Sequence, residues 1–327
     1  MTLFNRILFF SAVAGLTLNS CQKQADKPDY RGEMRKFVEK ISSTGQNLRP
    51  GFMVVPQNGL PLLSSDGTAG GAPETNYIAA IDGVGQEELW YGYDNNDDVL
   101  TPEPEHSDLQ GMCAFARVQG LKVLVTDYCT TPSKSDDSYA KNFADNFVSF
   151  TATHRDLDNI PDYPALPFHV NSNTINSLAD LQNFLYIIDP SAYNSKEEFI
   201  HALEQTQYDG FVVDLFFDDN TMLNADDLNR LRVKPNGGTR KILCYMSIGE
   251  AENYRWYWKP VWNVTPPSFL VGEDPDWLNN YTVRYWDPAW QYIICSGPDS
   301  YLHKITDAGF DGVYLDLVSE YEYFESK

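Results

Sequence analysis

The chain has 327 residues, 43% of them hydrophobic, and a formal net charge of −22. That length accommodates one large α/β barrel or two ordinary domains, and the apolar fraction argues against a disordered chain. So acidic a surface repels phosphate backbones, which argues against nucleic acid as a partner, and it is compatible with cationic ligands.

The first residues read as an export signal. Arg6 supplies the basic end, residues 7–18 an apolar stretch, and Leu18-Asn19-Ser20-Cys21 places small residues before a cysteine. This order resembles a bacterial lipoprotein signal, and the apolar stretch is too short to span a bilayer. A plain secretory signal or a buried N-terminal helix is the alternative. The expectation is a signal over residues 1–20, lipidation of Cys21 and a polar tether over 21–30. The remainder, 31–327, is then one domain of an exported lipoprotein, facing the periplasm or the outer cell surface. Membrane contact is expected through the lipid anchor only. Among charged residues the signal contains only Arg6, so cleavage takes the charge from −22 to −23.

Helix-like and strand-like segments then alternate. A helix is predicted over 31–42, followed by strands at 51–56 (GFMVVP) and 78–83. A helix over 108–119 precedes the strand KVLVTDY at 122–128. A helix over 138–147 precedes strand 148–153. FLYIID at 184–189 is a strand, and Ser195 with Glu198 forms a capping box for a helix to about 205. YDGFVVDL at 208–215 is the next strand, Asn224 caps a helix to 231, and ILCYMSI at 242–248 is a strand. A helix over 300–308 leads into FDGVYLDL at 310–317, a near copy of the phrase at 208. These unbroken apolar runs suit strands buried on both faces. Counted this way, about eight strands with helices between several of them predict an α/β fold, a single (β/α)8 TIM barrel with long rim loops. An open doubly wound sheet is the alternative. No Gly-rich dinucleotide or phosphate loop follows a strand. Cys113, Cys129, Cys244 and Cys295 show no zinc-ligand spacing, so no cofactor or metal is expected.

Acids recur at the predicted strand ends. Asp127 closes KVLVTD, Asp214 and Asp316 close the repeated phrase, and Glu250 and Glu252 follow ILCYMSIG. In a parallel barrel all of them approach one rim. Acid–base work on a glycoside needs two carboxyl groups in different environments, one protonated and one ionised, and crowded carboxylates push one pKa up. Pairing with Arg255 or Arg284, or helix capping, is the competing use of such acids.

The string YMSIGEAENYRWYW at 245–258 is the most specific in the chain. With FMVVPQNG (52–59), IDGVGQEELWYG (81–92), LKVLVTDYC (121–129), FLYIIDP (184–190), YDGFVVDLFF (208–217), VRYWDPAWQ (283–291) and AGFDGVYLDLV (308–318), it resembles a known family. The chain is similar to TM1410-like (β/α)8 proteins related to glycoside hydrolase family 114, the endo-α-1,4-polygalactosaminidases, over most of its mature length. The resemblance implies a sugar site at the carboxyl-end rim. It implies Asp214 and the Gly-Glu-Ala-Glu acids Glu250 and Glu252 as catalytic positions, with Asp316 lining the site. Among these, Asp214 and Glu250 are the expected pair, with Glu250, whose loop can bury it beneath aromatics, as general acid and Asp214 as base or nucleophile. Asp127, Glu252, Arg255, Asp316, Trp286, Tyr245 and Asp82 are expected to bind substrate or support that pair.

Six of the seven tryptophans lie between Trp256 and Trp290. Aromatic faces stack on pyranose rings, although most of these rings are expected to pack a long loop onto the barrel. The prolines 260, 266, 267 and 275 make this segment a rigid excursion rather than a helix. The expected function is hydrolysis of an α-linked polysaccharide, amino-sugar polymers of the galactosamine type included. A cell-surface barrel that binds glycan without cleaving it is the alternative, and a scaffold protein is a third reading.

Overall fold

The computed structural model describes residues 27–218 and 221–327. Residues 1–26, and with them Cys21 and the expected signal, lie outside the described residues. Helix α1 (Tyr30–Leu48) opens the fold. The Asp29 carboxylate caps it by accepting from Gly32 N at 3.0 Å. Its buried residues, Met34, Phe37, Val38, Ile41, Ser42 and Gly45, recur at helical spacing and form one apolar face.

Eight parallel strands form the centre: β1 (Met53–Pro56), β2 (Gly83–Glu87), β3 (Lys122–Tyr128), β4 (Val148–Ala152), β5 (Leu185–Tyr186), β6 (Gly210–Val213), β7 (Lys241–Ser247) and β8 (Gly312–Asp316). Nearly every residue in them is buried, as strands covered on both faces require. Helices follow most of them: α2 (Thr75–Ala79), α3 (Glu105–Val118), α4 (Pro132–Ala144), α5 (Lys196–Glu204), α6 (Ala225–Leu231), α7 (Pro288–Gln291) and α8 (Tyr301–Ala308), with α9 (Tyr321–Glu325) after β8. The fold is therefore mixed α/β with parallel sheets. Its ladders are two rather than one closed ring: β5-β6-β7-β8-β1 and β2-β3-β4. A single parallel bridge, Gln57 to Gly85, joins β1 to β2, with Asn58 N donating to Gly85 O at 2.9 Å. On the other side the Phe150 ring of β4 lies 5.9 Å from that of Phe184, next to β5.

The expected strand at 78–83 is corrected. That stretch holds the end of α2 and a turn, and β2 begins at Gly83. Periodicity alone cannot separate a short helix from a strand in so brief an apolar run. The FLYIID strand shortens to Leu185–Tyr186. The other expected elements appear with shifted ends, and KVLVTDY appears with the same ends.

The repeated Asp-Gly serves the sheet rather than a turn. The Asp311 carboxylate accepts from Ile242 N of β7 at 3.0 Å, while its carbonyl accepts from Met53 N of β1 at 2.9 Å. Asp209 does the same between Gln182 N (3.0 Å) and Lys241 N of β7 (3.0 Å). Asp82 is a third instance, between Val54 N of β1 (2.8 Å) and Lys122 N of β3 (3.2 Å). Each aspartate thus ties its own strand to both neighbours at the amino end. The glycine that follows is needed for close approach: a Cβ on Gly312 would stand 2.2 Å from Met53 O, and one on Gly83 2.6 Å from Lys122 O.

Between β7 and β8 the chain makes its long excursion. It forms an antiparallel sheet of residues 250–252, 280–283 and 270–273, anchored by Trp290, whose indole N–H donates to Ile248 O at 2.9 Å. The four cysteines among the described residues are free and buried.

Candidate functional site

A cavity of about 1,090 Å³ opens at the carboxyl ends of the strands, beneath this excursion. Asp214 stands one residue past β6, Asp316 ends β8 opposite Ser247 of β7, and Glu250 follows β7 by three residues. Three neighbouring strands therefore deliver the acids expected at the rim. Asp214, Glu250, Glu252, Arg255, Asp316 and Tyr245 all line the cavity.

Asp214 is held by charge. Arg255 donates to both of its oxygens, at 2.9 and 2.7 Å, and Phe216 N donates to Oδ1 at 2.7 Å. The same guanidinium donates to Glu252 at 2.6 and 3.1 Å. Burial holds the Asp214 carboxyl above its ordinary value, and Arg255 offsets part of that rise. Two charge-assisted bonds of this geometry fit the ionised form. The Asp214–Arg255–Glu252 group thus carries one net negative charge at the cavity wall.

Glu250 is the opposite case. It is 2% exposed, its Oε1 has no hydrogen-bond partner, and its carboxyl is pushed up to about 9 by burial and by the neighbouring acids Asp274, Glu320 and Asp316. At neutral pH it holds its proton. Asp316 accepts from the Tyr245 hydroxyl at 2.7 Å and from Leu317 N at 2.8 Å, and burial with the charge of Glu87 raises it to about 6.

Glu87, at the end of β2, is a rim acid that the sequence expectation missed. The Tyr128 hydroxyl, the Gln57 amide and the Asn58 amide (2.8 Å) all donate to it, and burial raises its pKa. The signal was present in IDGVGQEELWYG, but placing a strand over 78–83 put Glu87 beyond the strand's end.

Three expected supporting residues lie elsewhere. Asp127 is fully buried and saturated by Trp90 N, Tyr91 N, Ser138 Oγ and Asn142 Nδ2, so it fixes the loop after β2 to α4. Asp82 precedes β2 and sits at the amino end, away from the rim. Trp286 packs its ring on Tyr30, Tyr285 and Phe324. The tryptophans that do reach the cavity are Trp256 and Trp277, 38% and 58% exposed. Trp258, Trp262 and Trp290 pack among rings of the excursion.

Comparison with known proteins agrees with the resemblance read from the sequence. Residues 182–327 match the profile of glycoside-hydrolase family GH114. That stretch spans β5 to β8 and carries Asp214, Glu250, Glu252, Arg255 and Asp316. An uncharacterized protein of Deinococcus radiodurans is 39% identical over 128 residues, 39% of each chain. One of Methanocaldococcus jannaschii is 33% identical over 180 residues, 54% of this chain and 49% of its own. One of Thermotoga maritima is 44% identical over 82 residues, 25% of this chain and 24% of its own. The matched stretches thus span from about a quarter to about half of these relatives.

Proposed function

We propose that the protein is a glycoside hydrolase that cleaves an α-linked polysaccharide, with Glu250 as general acid and Asp214 as an ionised carboxylate of the same cavity. The family match over residues 182–327 supports the reaction class. The observation that carries the assignment is the contrast between the two acids: Glu250 is buried among other acids with a free Oε1, and Asp214 is bound to Arg255. Two titratable groups pushed apart in this way are the pattern of acid–base pairs in glycosidases. Glu250 donates its proton to the leaving glycosidic oxygen, and the negative Asp214 group stabilises the cationic sugar transition state. The exposed rings of Trp256 and Trp277 offer stacking faces. The cavity carries more acids than the two arginines 155 and 255 can offset, which suits a cationic amino-sugar polymer of the galactosamine type.

The test is digestion of candidate polysaccharides with mass spectrometry of the products. Glu250→Gln is expected to lose about 10²–10⁴-fold in kcat, and Asp214→Asn to lose activity as well. Equal product from wild type and both variants removes the assignment. One observation favours a second reading, glycan binding without cleavage: both Asp214 oxygens are occupied by Arg255. Binding of intact glycan by the wild type and both variants, with no product from any, selects it.

We infer further that residues 31–327 form one domain in which the two ladders close into a (β/α)8 barrel. The Gln57–Gly85 bridge and the packing of Phe150 on Phe184 support closure. Fast amide exchange along β4 and β5 would contradict it. The exported lipoprotein reading rests on residues 1–21 alone. It requires fatty-acid labelling that Cys21→Ala abolishes.

A further inference from the structure

We propose that Asp274 and Glu320 are positioning residues that act through Glu250, setting its carboxyl as a proton donor. The proposal rests on the reading of Glu250 as the acid of the site. Glu250 lies on the first strand of the excursion, opposite Thr282. Asp274 follows the strand 270–273 of the same sheet and is tied into the hairpin by its N–H to Asn280 O at 2.8 Å. Asp274 is the neighbouring acid that raises the Glu250 carboxyl most. Two neighbouring carboxyl groups repel when both are ionised, so this neighbour favours the protonated form of Glu250.

Glu320 reaches the same point from the turn after β8. Gly249 makes room for it: a Cβ there would stand 2.7 Å from Glu320 Cβ and 2.3 Å from Leu317 O. Glu320 lies near Thr282, the cross-strand partner of Glu250, and its Oε1 is buried and unpartnered. Burial and the charge of Asp274 raise Glu320 to about 7.

The other groups against Glu250 are Asp316 from β8, which is also acidic, and the Ser247 hydroxyl, which donates to the Glu250 carbonyl at 3.2 Å. The nearby cation, Arg255, is committed to Asp214 and Glu252. Three acids from three elements therefore crowd one proton. As the glycosidic C–O bond breaks, Glu250 passes that proton to the leaving oxygen and becomes a carboxylate beside Asp274 and Glu320. Their repulsion favours both the transfer and the recovery of a proton from water, the second reactant of hydrolysis.

The test reads the carboxyl directly, by NMR of protein labelled with ¹³C at glutamate Cδ, with the Glu250 signal assigned by its loss in Glu250→Gln. In wild type it is expected to titrate near pH 9. Asp274→Asn and Glu320→Gln are each expected to move it down by about one pH unit, since each removes a like charge. The alkaline limb of kcat/KM moves down with it. Asp274 lies on a partly exposed hairpin, so its variant serves if Glu320→Gln fails to fold. A Glu250 titration unmoved in folded Asp274→Asn and Glu320→Gln overturns the proposal. A shifted titration in a protein that cleaves no glycan supports the coupling and removes only the hydrolase reading.

Discussion

Arg255 is the residue on which the site's charge balance turns. It is buried, and it is the shared partner of two buried carboxylates, Asp214 and Glu252. Removing one member of a buried ion pair leaves uncompensated charge, which costs about 3–5 kcal/mol. Arg255→Met should therefore lower stability by that order in urea unfolding monitored by circular dichroism, and Asp214 should lose its reason to stay ionised. Arg255→Lys should recover only part of the loss, because an ammonium cannot make the bidentate contact. Wild-type stability in the Met variant would mean that the three groups are solvated rather than paired. The sequence marked Asp214 and Glu250 as acids at or just past strand ends, and Arg255 as a partner that could orient an acid. It could not tell which acid the arginine would choose. Spacing places residues on a rim, but partner choice depends on side-chain directions that only the packed excursion settles.

At the scale of the elements, the repeated Asp-Gly is where local sequence and tertiary contact meet. Strand-like runs were legible because buried parallel strands are continuously apolar, and β3 appears with the ends read from KVLVTDY. The role of the aspartates was not legible, because it consists of bonds to strands distant in sequence. Gly312→Ala tests this role. Its methyl would press on the Met53 carbonyl at 2.2 Å, a backbone atom that cannot swing aside. A loss of about 1–3 kcal/mol is expected, read as a lower denaturation midpoint. Gly51→Ala serves as a contrast for crowding: Gly51 has open space around its Cβ position and a φ of +82°, so its cost is conformational. Equal midpoints for wild type and Gly312→Ala would show that β1 and β8 do not approach as described. The antiparallel sheet of the excursion was also hidden, since its strands are short, polar and separated by prolines. The sequence marked it as rigid and irregular, but showed neither its pairing nor that it carries Asp274 as a neighbour of Glu250.

For the whole molecule, the buried acids set the pH response of stability. Glu250, Glu320 and Asp316 are raised to about 9, 7 and 6 by burial and by neighbouring acids, Asp274 for the first two and Glu87 for the third. In the unfolded chain they titrate near 4. Between those values the folded state holds more protons than the unfolded one. Their contribution is thus complete below the ordinary carboxyl range and is lost as pH rises through 6, 7 and 9. Melting temperature should fall between pH 5 and pH 9, and Glu250→Gln should flatten that decline at its alkaline end. A melting temperature that climbs steadily over this range would contradict the burial of these groups. The excursion between β7 and β8 has a consequence of another kind. Residues 249–283 carry the proposed proton donor, the arginine, Asp274 and both tryptophans that reach the cavity, while the ends of the parallel strands β6 and β8 deliver Asp214 and Asp316. One uninterrupted stretch of gene therefore encodes the proposed proton donor together with the arginine and both exposed rings. Exchange of that cassette between relatives could change the sugar recognised while leaving the scaffold that was folded around it intact.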